Sequence, residues 1–183
     1  ADKLKGQMPF SNELLNGTLV SYFPSGQKEV ENNFLNGKRN GTSTTYSESG
    51  KILSQGRFKN GRPVGAFMKY YENGNLKTKL EVSKDWNGLV YSYFPSGELK
   101  MKSQIKNKIL NGSSEVYFIS GKREGSFTYV DSQLDGLVNV FYENGTLKSQ
   151  TNYNKGIRQG KEKHFHENGK LKFEIVYLND QMH

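Results

Sequence analysis

Apolar side chains in this chain recur with a period of 24 residues, clustered in short aromatic-rich runs bounded by Gly, Asn and Ser. Seven glycines fall in a single register: Gly26, Gly50, Gly74, Gly97, Gly121, Gly145 and Gly169, spaced 24, 24, 23, 24, 24 and 24 apart. Nine residues before each stands another: Gly17, Gly41, Gly65, Gly88, Gly112, Gly136 and Gly160. Two positions of one unit thus account for 14 of the 20 glycines, and a fixed period of this length marks a repeat architecture. With the first glycine set numbered zero, position −4 is always aromatic (Tyr22, Tyr46, Tyr70, Tyr93, Tyr117, Phe141, Phe165). Position −3 is mostly so (Phe23, Tyr71, Phe94, Phe118, Tyr142), with Ser47 and His166 departing. Position +2 is mainly aliphatic (Ile52, Leu76, Leu99, Leu147, Leu171), with Lys28 and Arg123 departing. Position +8 is Phe34, Phe58, Val82, Ile105, Tyr129, Tyr153 or Tyr177.

Short β-branched and aromatic runs between Gly/Asn/Ser clusters predict paired strands. The turns read Pro-Ser-Gly, Glu-Ser-Gly, Glu-Asn-Gly or Ile-Ser-Gly. Pro24 and Pro95 suit the first central position of a type I turn, and the glycine that follows suits a left-handed G1 bulge. Such a loop pairs −4 with +2, and the pattern predicts −4, +2 and +8 together on one apolar face. A lone hairpin is marginal in water, so each needs its neighbours to cover that face. The expected fold is all-β: an elongated single-layer antiparallel meander of about seven tandem 24-residue hairpin repeats. At ~4.8 Å between strands it extends on the order of 70 Å. Repeats start at residues 17, 41, 65, 88, 112, 136 and 160 and run to 183. Residues 1–16, marked by Phe10, form a partial repeat or cap. Repeat three is one residue short at Asp85-Trp86-Asn87-Gly88, and repeat five is irregular around Gly125.

Composition sharpens this picture. Mean hydropathy is −0.79 and 33% of residues are hydrophobic, yet there are 11 Tyr and 11 Phe. That is too polar for a thick globular core and too aromatic for disorder. There is no cysteine, which excludes disulfides, thiolate nucleophiles and Cys-based metal sites. No run approaches the ~18 apolar residues of a membrane-spanning helix. A first residue of Ala rather than Met suggests a preceding segment, a cleaved signal peptide or a chosen boundary, and leans towards export. The net charge of +8 suits an acidic protein, an anionic membrane or a nucleic acid.

The unit, roughly G-x₄-[YF]-[YF]-x-[NS]-G-x-L-K-x₅-[FY]-x-N-G-x₃-G, resembles the variant MORN repeat of bacteria. Its clearest instances are Glu72-Asn73-Gly74-Asn75-Leu76-Lys77 and Glu167-Asn168-Gly169-Lys170-Leu171-Lys172. The resemblance implies consecutive antiparallel hairpins. Through its bacterial members, often labelled the antitoxin component of a toxin–antitoxin pair, it also implies a protein-binding role. Eukaryotic members are linked to membranes and protein scaffolds. No residue motif for these roles carries over to this chain.

Candidate chemistry is sparse. His164 and His166 lie two apart on a predicted strand with Glu162 beside them; they read as ordinary outer-face residues, and no metal or cofactor is expected. The glycine registers lack the strand-to-helix context of phosphate loops. No acid–base pair or nucleophile stands out, so no catalytic residue is assigned and the expected protein is not an enzyme. The outer face is richer. Position +3 carries Lys77, Lys100, Lys148 and Lys172 diagonally beside the −3 aromatics Phe23, Tyr71, Phe94, Phe118 and Tyr142. Aromatics interleaved with lysines suit an extended acidic peptide, anionic headgroups or single-stranded nucleic acid; they equally suit cross-strand cover and protection of sheet edges. Trp86, the only tryptophan, sits in a turn between hairpins, as a packing plug or a binding anchor. The expected function is a non-enzymatic scaffold for a protein partner, antitoxin- or immunity-like. The alternative is an electrostatic binder of anionic membrane or nucleic acid.

Overall fold

The computed structural model describes residues 6–7, 9–83 and 85–182. The expected partial repeat at 1–16 therefore lies partly outside the described residues, as does His183. The described residues are all-β, without a helix. They divide into two compact units. The first, running to Gly88 with Pro95–Gly97 added, holds β1 (Gly6–Gln7), β2 (Phe10–Ser11), β3 (Leu14–Leu15), β4 (Gly17–Tyr22), β5 (Lys28–Leu35), β6 (Lys38–Tyr46), β7 (Ile52–Lys59), β8 (Arg62–Tyr70) and β9 (Leu76–Val82). The second takes residues 89–94 and 98 onward. It holds β10 (Gly88–Tyr93) beyond its first residue, then β11 (Leu99–Lys106), β12 (Ile109–Tyr117), β13 (Arg123–Val130), β14 (Gln133–Leu134), β15 (Gly136–Phe141), β16 (Leu147–Asn154), β17 (Ile157–Arg158), β18 (Gly160–Phe165), β19 (Leu171–Leu178) and β20 (Gln181–Met182). From β4 on, strands that follow one another pair antiparallel in one layer within each unit, while β1 pairs with β4, and β2 with β3 in a separate two-stranded sheet.

Two turn types alternate along the chain. At the turn glycine, the −3 carbonyl accepts from the glycine N–H and the −3 N–H donates to the +1 carbonyl, as in Phe23–Gly26 and Phe23–Gln27, both 2.8 Å. The glycine takes φ between +80° at Gly121 and Gly169 and +112° at Gly97. This is the type I turn with a G1 bulge that Pro-Ser-Gly dictates, and it pairs −4 with +2 as expected: Tyr22 with Lys28, Tyr46 with Ile52, Phe141 with Leu147. Except at 83–87, where the Ser83 N–H donates to the Asn87 carbonyl and Trp86 stands in the place of the bulge glycine, the reverse turns described are two-residue loops with φ positive at both centres, such as Asn36 (+50°) and Gly37 (+72°) or Asp131 (+49°) and Ser132 (+67°). These are type I′ turns, whose twist matches that of the flanking strands.

The expected shared face of −4, +2 and +8 is not what forms. After Tyr22 pairs with Lys28, the next pair is Ser21 with Val30. One extra residue, +3, is inserted in every repeat whose turn register is described. Side chains alternate with a period of two, so one inserted residue carries everything beyond it to the other face. Positions −4 and +2 share one face; −7, +6 and +8 share the opposite one. There +8 lies across from the −9 glycine: Tyr129 from Gly112, Tyr177 from Gly160. At Gly65 and Gly160 a Cβ would meet nothing within 4 Å, but φ is +74° and +80°. At these two sites backbone conformation, not space, demands glycine, whereas at Gly88 an added Cβ would strike the Glu81 carbonyl and at Gly112 the Gln104 side chain.

Burial is correspondingly thin. Buried hydrophobic residues are Val20, Val82, Val138 and Tyr177, alongside small polar ones: Asn32, Thr44, Ser47, Ser103, Ser114 and Thr151. All seven −4 aromatics are half-buried; the buried positions are +6, −7 and +8 on the opposite face, together with −6, at Val20 and Thr44, on the face of −4 itself. A one-layer sheet has no second layer to enclose a large ring. Much of the cohesion between repeats runs through turns. The N–H of the second turn residue donates to a carbonyl 22 residues earlier: Gly37 to Leu15, Gly61 to Arg39, Ser132 to Leu110, Gly156 to Leu134 and Asp180 to Arg158. At the opposite edge Asn73 Nδ2 donates to the Pro95 carbonyl and Asn144 Nδ2 to that of Glu167.

Candidate functional site

The inserted +3 residue gives the outer-face lysines their position. In the first unit Lys77 Nζ lies 5.4 Å from the Tyr71 ring centroid. In the second, Lys100 lies 5.6 Å from that of Phe94 and Lys148 5.6 Å from that of Tyr142. The hairpin loop brings −3 and +3 together across the turn, and a cation over an aromatic face is held by the ring quadrupole, about 0.5–1 kcal/mol at exposed sites. The series is not uniform. Phe23 and Phe118 face Glu29 and Glu124 at +3, and Lys172 faces His166. Each ring is half-buried while the lysines and the turn tips are exposed, so the three hairpins of Tyr71, Phe94 and Tyr142 each present an aromatic edge under one positive charge. Tyr142 is further tied to the next hairpin by its hydroxyl, which donates to the Phe165 carbonyl at 2.9 Å.

Trp86 is half-buried and stacks on Phe67, ring centroids 6.3 Å apart and 29° between planes. It occupies a left-handed turn position, φ +60°. Phe67 in turn meets Phe58 edge-on at 5.2 Å. His164 Nε2 contacts Glu162 Oε1 at 2.5 Å, and its ring stacks on Phe173 at 4.4 Å. His166 lies beyond the end of β18, in the turn, so the two histidines are not brought together. Among the described residues no group of three or more His, Cys, Asp or Glu is placed to share a cation, and no helix is long and apolar enough to cross a membrane.

Arginines occupy places the sequence pattern did not single out. Arg39 lies over Phe58 at 5.2 Å and Arg158 over Tyr177 at 4.0 Å. Both precede a −9 glycine by two residues and cover the +8 ring of the following strand. Arg123, which stands at +2 where four other repeats have leucine, lies over Phe141 at 5.0 Å and reaches Glu115 at 3.4 Å. Burial, then a hydrogen bond to Glu115, pushes the Tyr117 hydroxyl above its usual range. Asp180 accepts from the Arg158 backbone N–H at 2.9 Å and from its guanidinium at 3.0 Å, which holds its carboxyl below the usual range.

The profile of the MORN repeat variant matches residues 15–36, 39–60, 63–83, 86–107, 134–155 and 158–179. The chain belongs to the MORN-repeat variant family. The unmatched stretch between 107 and 134 is the fifth repeat, where Arg123-Glu124 replaces Leu-Lys and Asp131-Ser132 replaces Asn-Gly. The MORN hairpin forms there all the same, with Tyr117 opposite Arg123 and the same register shift. No curated protein matches the chain. Among solved structures, the Glycosylation Associate Protein (Gap123) complex from Streptococcus agalactiae aligns over 70% of this chain, with 15% identity and a TM-score of 0.37. This chain spans 25% of the length of that one.

Proposed function

We propose that this MORN-repeat chain is a non-catalytic scaffold that grips an acidic stretch of a protein partner along its turn edge, in the manner of an antitoxin or immunity protein. The observation that carries the reading is the repeated placement of a lysine over a −3 ring, as in Lys100 on Phe94 and Lys148 on Tyr142 within the second unit. An aromatic edge beneath a fixed charge offers both apolar contact and a carboxylate partner at each hairpin that carries the pair, and hot spots at interfaces are built from such anchors.

A second reading, attachment to an anionic membrane or nucleic acid, is favoured by the net charge of +8. Glu29 and Glu124 argue for the first, because they interrupt the cationic series at +3, and a uniform polyanion has no use for that interruption. The two readings separate in affinity capture from source lysate with the wild-type chain and the Lys100→Glu/Lys148→Glu variant. A discrete protein retained at high salt by the wild type and lost by the variant is the expected result. Mixed lipid or nucleic acid retained only at low salt would favour charge-driven binding, whose affinity falls steeply with salt. Retention of the same protein by both forms would remove the lysine row from the binding surface.

A further inference from the structure

The first unit contains a depression of about 380 Å³ on the face shared by −7, +6 and +8, within the ~300–1,000 Å³ range of ligand pockets. Its floor is hydroxyl and amide. Asn32 on β5 is paired across the ladder with Ser43 on β6, and Thr45 on β6 with Ser54 on β7. Ser43 Oγ donates to Asn32 Oδ1 at 2.5 Å, and the Thr45 and Ser54 hydroxyls meet at 2.7 Å. Asn32 is only 7% exposed; its Nδ2 donates to no group among the described residues and is not closed off from solvent, so its hydrogens are open to an incoming acceptor.

The wall is aromatic and depends on a missing side chain. A Cβ on Gly56 would fall 2.2 Å from the Phe67 ring, so glycine there lets the ring lie across the strand. Phe58 meets it edge-on and Trp86 stacks against it. The rim is cationic: Arg39 and Lys69 line the depression and no acidic residue does.

We propose that this depression binds a carboxylated hexose ring, a hexuronate unit, with its C–H groups packed into the corner between Phe58 and Phe67. Its hydroxyls exchange hydrogen bonds with the Asn32 amide and the serine and threonine hydroxyls, and its carboxylate meets Arg39 and Lys69. Each part of the site selects for one part of that ligand. A simple anion such as acetate or phosphate has no flat apolar face for the rings. A neutral hexose leaves both rim cations without a partner, and a purely apolar ligand leaves the Asn32 donors idle.

The single tryptophan makes the test direct, because Trp86 contacts the Phe67 wall and its emission reports on that ring. D-glucuronate, D-glucose and sodium acetate are titrated into the full chain, following Trp86 emission and the side-chain amide resonances of Asn32. The expected result is a saturable response to glucuronate, at least tenfold weaker with glucose and absent with acetate. Arg39→Gln, at an exposed position, should remove the preference for glucuronate over glucose. Asn32→Ala should weaken both sugars at least tenfold with the strand signal in circular dichroism unchanged. If glucuronate gives no saturable response, or if acetate or the two variants match wild-type glucuronate binding, the proposal is overturned. Should Asn32→Ala fail to fold, Arg39→Gln and the ligand series decide alone.

Discussion

The type I′ turns permit a stability prediction with a built-in control. Their second residue sits at φ near +70° whether it is glycine, as at Gly37 (+72°), Gly61 (+77°) and Gly156 (+83°), or not, as at Ser132 (+67°). A left-handed conformation costs an L-residue about 1–2 kcal/mol. Glycine escapes that cost but loses about 0.5–1 kcal/mol more backbone entropy on folding. Ser132→Gly should therefore stabilise by roughly 0.5–1 kcal/mol, since the Ser132 N–H bond to the Leu110 carbonyl survives the change. The reciprocal Gly156→Ser should destabilise by a similar amount. Space is no obstacle there, because the nearest atom to an added Cβ is Gln133 Cβ at 3.9 Å. For a chain of this size 1 kcal/mol corresponds to about 2–4 °C in Tm, so the two variants should part by about 2–8 °C. Thermal and urea unfolding followed by circular dichroism would measure both. The reasoning is refuted if Ser132→Gly is neutral or destabilising while Gly156→Ser leaves stability unchanged, for then the turn geometry is not what selects glycine.

Tyr177, buried and covered by Arg158, should cost about 3–5 kcal/mol when replaced by Ala, whereas half-buried Tyr93 should cost about half as much; equal losses in urea midpoints would contradict the assignment of faces. Gly56→Ala should cost roughly 1–3 kcal/mol by overpacking and change Trp86 emission, because the Phe67 ring it displaces is boxed in by Phe58 and Trp86; unaltered emission and stability would count against the wall as described. Asp180 and Glu174 carry carboxyls held below their usual range, Asp180 by its hydrogen bonds from Arg158 and Glu174 chiefly by that from Lys161. A depressed carboxyl contributes stability that is present above its unfolded pKa and lost as pH falls through the folded one. The last hairpin should thus loosen below about pH 4, the ordinary carboxylate range, seen as faster amide exchange around residues 157–182. Exchange that does not change on acidification would show these bonds to be idle.

The lysine–aromatic pairs were legible in the sequence because they depend on a loop of fixed length. Once Pro24-Ser25-Gly26 and its counterparts set the turn, −3 and +3 must meet across it, whatever the rest of the sheet does. The same holds for the pairing of −4 with +2. The faces were not legible. The inserted residue at +3 leaves no mark in the hydrophobic pattern, since lysine, glutamate and leucine all occur there, yet it reverses the side of everything that follows. The aromatic repeat at −4 therefore suggested a core that the sheet builds instead from +8, +6 and −7 on one face and from −6, at Val20 and Thr44, on the other. Arg39 and Arg158 went unnoticed for a related reason: their ring partners lie 19 residues further on in the sequence and become neighbours only when strands are laid side by side.

The chain by itself determined the period, the number of hairpins, the type I turn with its G1 bulge and the local contacts across that loop, because these follow from backbone preferences over a few consecutive residues. Only the tertiary structure decided which residues are buried, which rings the arginines cover, and that Asn32, Ser43, Phe58, Phe67 and Trp86 surround one depression. Those outcomes depend on register between strands. Register is a sum over many weak cross-strand contacts, and one inserted residue per repeat is enough to redirect it.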